Sequence, residues 1–122
     1  MKKIMLTVLL AMPLGASADH LDVFDFKLKE GCDLAKVVQL KNDFNAQWGA
    51  SHGYQAEVAV PIQSSDLESF RWLGRSKDAA AFGKAWDTWR AEVADPTSVA
   101  GKLAARFGDC TNNSARRGFD LY

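Results

Sequence analysis

The residues of this chain that could do chemistry are few, and most of them fall at alternating positions of extended segments. Asp25, Lys27, Gln55, Glu57, Arg71, Leu73, Arg75, Asp120 and Tyr122, with Arg116 at the margin, share one parity, so one face of a sheet would display them together. Opposite charges on neighbouring strands form cross-strand pairs. Exposed to water, such pairs contribute ~0–1 kcal/mol each; covered by a loop or a second subunit, they would line a polar cavity. Glu57 and Arg71 are the candidate ligand-binding residues of that face. Trp48 and His52 join them, because they flank the small-residue segment Gly49-Ala50-Ser51-His52-Gly53. A lone loop histidine is most often solvated surface and only rarely a general base.

No stronger chemical signature is present. The chain has no nucleophile elbow, P-loop, HExxH or EF-hand loop, so no catalytic residue is identified and neither a metal nor a cofactor is expected. Asn112-Asn113-Ser114 matches a glycosylation acceptor but, beside a bacterial-type export signal, is expected to stay unmodified.

That signal is read from residues 1–18. Lys2 and Lys3 precede the apolar run Ile4–Met12, Pro13 and Gly15 break it, and Ala16-Ser17-Ala18 supplies small residues for a peptidase. The run is shorter than the ~20 residues a membrane anchor needs. Cleavage after Ala18 would leave residues 19–122, which is 122 − 18 = 104 residues and a single domain. Without Lys2 and Lys3 the count is 13 basic against 15 acidic groups, a net charge of −2. Nucleic acid and anionic membranes are therefore not expected partners, since their binders carry clustered positive charge. His20 would stand second in the mature chain, which excludes the N-terminal copper motif that wants a histidine third. Export to the periplasm or beyond the cell is oxidising, so Cys32 and Cys110 are expected to form a disulfide.

Periodicity then supplies the elements. Residues 21–29 alternate as a first strand, and Asp33 caps an amphipathic helix carrying Leu34, Val37, Val38, Phe44 and Trp48. Residues 54–62 form a second strand, and 69–75 a third, joined by the polar turn Gln63-Ser64-Ser65-Asp66 as an antiparallel hairpin. Ser76 is read as the cap of a second long helix whose stripe is Ala79, Phe82, Trp86, Trp89 and Val93. Trp86 and Trp89 are read as packing residues, whereas Trp48 stands between core and pocket. Pro96 opens a short third helix bearing Val99, Leu103 and Phe107, residues 108–114 form a loop, and 116–122 a last strand with Phe119 and Leu121 facing the helices.

Strand, helix, strand, strand, helix, strand is the order of the ferredoxin-like split βαβ fold, an α+β class. Its four-stranded antiparallel sheet carries both long helices on one face, with the short extra helix before the last strand. In this topology the start of strand four lies beside the end of strand one, which brings Cys32 and Cys110 together independently of the redox argument.

With Phe24-Asp25-Phe26, Phe70-Arg71-Trp72-Leu73-Gly74 and the Trp86/Trp89 helix, the whole mature chain resembles the dimeric α/β-barrel superfamily. The resemblance implies a homodimer paired through its sheets and a ligand held between sheet and helices. It also implies an activity class that includes cofactor-independent monooxygenases, haem-degrading enzymes and chlorite dismutase relatives. The haem-binding members use a histidine on the second long helix, and this helix has none, which speaks against haem. Two functions are therefore carried forward: a disulfide-tied module that pairs or holds a small molecule on its sheet face, and a cofactor-independent monooxygenase or isomerase.

Overall fold

A computed structural model describes residues 18–122. The expected signal segment, apart from Ala18, lies outside them. In chain order the elements are β1 (Asp19–Leu28), α1 (Leu34–Phe44), β2 (Gln55–Ala59), β3 (Phe70–Ser76), α2 (Ala79–Glu92), α3 (Val99–Cys110) and β4 (Thr111–Leu121). The sheet order β2-β3-β1-β4 is antiparallel throughout, which makes the fold ferredoxin-like and α+β. No helix among the described residues is long and apolar enough to cross a membrane.

Local chemistry sets most boundaries. The Asp33 carboxylate accepts the Lys36 amide at 2.8 Å and starts α1 as expected. After Phe44 the chain widens through a π-helical turn (Asn45–Gly49), then tightens into a 3₁₀ turn (Ala50–His52), and Gly53 takes a left-handed φ of 66° to leave it. Asn45 pins this turn to β2, donating to the Ala56 carbonyl and accepting the Ala56 amide. The cap of α2 is Asp78, whose carboxylate accepts the Ala81 amide at 2.7 Å, and not Ser76, which ends β3 with its side chain buried.

The extra helix is not short. α3 runs for 12 residues, one more than α1, with Ser98 as its cap and Ala100 and Leu103 in the core. Gly108 lies in its last turn, where a glycine costs little, so the expected loop at 108–114 is instead helix followed directly by strand. The helix ends on Cys110, which is bonded to Cys32 with the Cα atoms 5.3 Å apart. The core centres on Phe44, whose ring meets Tyr54, Trp72, Trp89 and Phe107 edge-on.

The last strand faces the opposite way from the sequence reading. Arg116 pairs with Phe24, Gly118 with Asp22 and Asp120 with His20, all on the helix-covered side. Arg117, Phe119 and Leu121 take the open side, where Phe119 is 46 % exposed. The physical reason is twofold. A bulge between Asp25 and Phe26 shifts the register along β4, and an ion pair holds Arg116 inward.

Candidate functional site

That ion pair begins at Asp22, which is only 2 % exposed although it carries a charge. Its register partners are Gly74 on β3 and Gly118 on β4, so no side chain stands directly opposite it on either neighbouring strand. The space over Gly74 is used: a Cβ there would fall 1.8 Å from the Tyr54 phenol, so only glycine lets that ring lie across the strand. Tyr54 thereby donates its hydroxyl proton to Asp22 Oδ2 at 2.8 Å and accepts Trp72 Nε1–H at 3.2 Å. From β4, Arg116 donates through Nε to Asp22 Oδ1 at 2.9 Å and through Nη2 to Oδ2 at 2.6 Å.

This network is closed at its buried end. Both Asp22 oxygens accept, the Tyr54 proton is committed, and the Trp72 indole is committed to Tyr54. Burial foremost, then the negative charge of Asp22, pushes the Tyr54 phenol well above the usual value of 10.0, so the ring stays neutral across the physiological range. The arrangement therefore fixes a polar floor and offers no spare base within it.

Arg116 opens onto a cavity of about 560 Å³ between the sheet and helices α2 and α3, within the ~300–1,000 Å³ common for small-molecule sites. Phe24 and Trp72 form its floor, Phe82, Trp86 and Trp89 its α2 wall, and Phe107 its α3 wall. Its rim is the segment Asn113–Arg116 of β4. The guanidinium lies 3.9 Å from the Trp86 ring centroid and 5.6 Å from that of Phe24, a cation–π placement across the mouth. Trp86 and Trp89 thus both line the cavity. Trp89 is also packed against the core at Phe44 and Trp48, as its spacing implied, whereas Trp86 faces Arg116 and departs from that assignment.

The four sequence candidates are dispersed. Trp48 also lines the cavity, but its ring is buried and its Nε1–H is bonded to Glu92 at 2.6 Å. His52 stacks on the outer side of Trp48 at 4.0 Å, with Nδ1 2.7 Å from the Trp48 carbonyl. Glu57 and Arg71 stand on the open face, away from the cavity, and Arg71 donates to Asp25 at 3.1 Å. Asp22, Tyr54 and Arg116 were missed as a site. The signal that could have found them is the pair of strand glycines, Gly74 and Gly118, flanking an acidic residue on β1.

No protein-family model matches the chain. No curated protein matches it either. Solved structures do share its fold. SnoaB of Streptomyces nogalater, a cofactor-independent oxygenase, superposes with a TM-score of 0.54 at 14% identity, over 87% of this chain and 95% of its own. A conserved protein of Bacteroides thetaiotaomicron, described as a possible oxidoreductase, gives 0.55 at 8% identity, over 87% of this chain and 100% of that one. A conserved protein of Methanosarcina mazei gives 0.50 at 12% identity, over 86% and 94%. The chain thus shares its ferredoxin-like fold with these proteins, and identities this low carry the fold alone.

Proposed function

We propose that this protein binds a small, flat, largely apolar molecule in the cavity between its sheet and α2/α3. The observation that carries this is the aromatic lining of that 560 Å³ space, open at one end to solvent. Rings left unfilled in a protein interior forgo dispersion contacts, and a planar ligand would restore them between Trp86, Phe107 and Phe24. Titration calorimetry with 2-naphthamide tests it. One saturable site per chain is expected, weakened about tenfold by Trp86→Ala, because removing one wall loses roughly 1–2 kcal/mol of contact. Heats no larger than dilution would refute binding.

A second reading is cofactor-independent oxygenation, favoured by the fold shared with SnoaB. The closed Asp22–Tyr54–Arg116 network supports binding over catalysis, because proton abstraction needs a base with a free lone pair within reach. Incubation with quinol-like substrates, followed by absorbance, separates the readings.

The open sheet face supports a two-fold homodimer as the working form. The reversed β4 leaves Phe119 and Leu121 exposed on that face, beside the half-buried Leu73. Asp25 is held between Arg71 and Arg117, an arrangement whose remaining guanidinium donors can meet acidic partners across a symmetric contact. Light scattering on a sizing column is expected to show a dimer at micromolar concentration and a monomer for Leu73→Asp. A wild-type monomer at high micromolar concentration would contradict the pairing. The Cys32–Cys110 bond supports an oxidising compartment, periplasmic or outside the cell, reached through cleavage of residues 1–18.

A further inference from the structure

Arg116 is the single charged side chain among the residues that line the cavity. Of its five N–H groups, those on Nε and one on Nη2 are taken by Asp22. The other three have no partner among the described residues, and the side chain is 39% exposed at the mouth. Asp22 is 3% exposed at its side chain, has both oxygens engaged and lies behind the guanidinium as seen from the cavity. An entering ligand therefore meets cationic donors first and the balancing carboxylate only at greater distance.

We infer that the ligand is an aromatic acid: a flat ring system bearing one anionic oxygen group, a carboxylate or an ionised phenol, held by Arg116 while the rings lie among the aromatic walls. This rests on the binding role proposed for the cavity and names the class of molecule it takes. Charge-assisted hydrogen bonds to a guanidinium are roughly twice as strong as neutral ones, and the ring faces of Trp86 and Phe24 flank this one. The buried end contributes position: the bidentate grip of Asp22 fixes the plane of the guanidinium, so its free edge is pre-aimed. Arg117, the adjacent cation, points to the open face of the sheet, where its Nη2 donates to Asp25, and cannot substitute.

The test compares 2-naphthoate, an anion at neutral pH, with the neutral 2-naphthamide by calorimetry at low salt. Naphthoate is expected to bind about tenfold tighter or better. In the Asp22→Asn/Arg116→Gln double variant, which leaves no buried charge unpaired, the preference is expected to vanish, naphthoate losing about tenfold more affinity than naphthamide. Equal affinity of the two compounds for the wild type would overturn the acid assignment and leave the cavity role standing. A preference that survives in the double variant would overturn the role of Arg116. Binding of neither compound would overturn the cavity role and this assignment together. The wild-type comparison decides the matter by itself should the double variant fail to fold.

Discussion

Replacing Cys32 or Cys110 with serine is expected to lower the melting temperature by about 10–20 °C. The bond closes a loop across a sequence separation of 78 residues, for which chain entropy gives ~4.5 kcal/mol as an upper figure, and measured losses fall at about 2–5 kcal/mol. In a domain of about 100 residues each kcal/mol moves the midpoint by roughly 4–8 °C. The position of the bond adds to the effect. It ties the turn between β1 and α1 to the end of α3, and α3 supplies Phe107 to the cavity wall and feeds directly into β4 and Arg116. Free thiols titrating in the undenatured, oxidised protein would contradict the bond, and unchanged melting would contradict its weight.

Asp22→Ala is expected to cost about 3 kcal/mol. Breaking one side of a buried ion pair costs ~3–5 kcal/mol, and the low end applies because the Arg116 side chain, 39% exposed, can regain water. The buried Tyr54 hydroxyl cannot, and it loses its acceptor. Removing the Asp22 charge also removes one of the two leading causes that raise the Tyr54 phenol, so its ionisation is expected to move down toward 10.0 in a spectrophotometric titration. Denaturant unfolding within about 0.5 kcal/mol of wild type, with the phenol unmoved, would show that the network does not hold as described.

The elements were legible wherever side-chain alternation and caps agreed. Phe24, Phe26 and Leu28 gave β1, Asp33 gave the start of α1, and the element order gave both the sheet topology and the meeting of Cys32 with Cys110. What failed was the orientation of β4. An edge strand has one neighbour, and its alternation of charged and apolar residues fits either face. Phe119 and Leu121 looked like core and Arg116 like surface, but the unpaired charge of Asp22 inside the fold decides the matter, and that charge is evident only once the strands are placed. The same step exposes the site. Trp86 sits at core spacing on α2, yet the ring meets a guanidinium because Arg116 turns inward. The end of the third helix was misjudged for a simpler reason: Gly108 reads as the start of a loop, yet it lies in the last turn of α3. At Gly101 a Cβ would fall 2.1 Å from the Asp95 carbonyl oxygen, so that glycine is a close approach inside the helix.

The central claim is that the ligand sits between the sheet and α2/α3, and not on the open face that bears Arg71 and Glu57. A crystal structure of the protein grown with 2-naphthoate tests this most directly. The expected result is the rings between Trp86 and Phe107 with the carboxylate on the free edge of Arg116. Naphthoate bound instead against Arg71 and Glu57, or an empty cavity at saturating ligand, would contradict it.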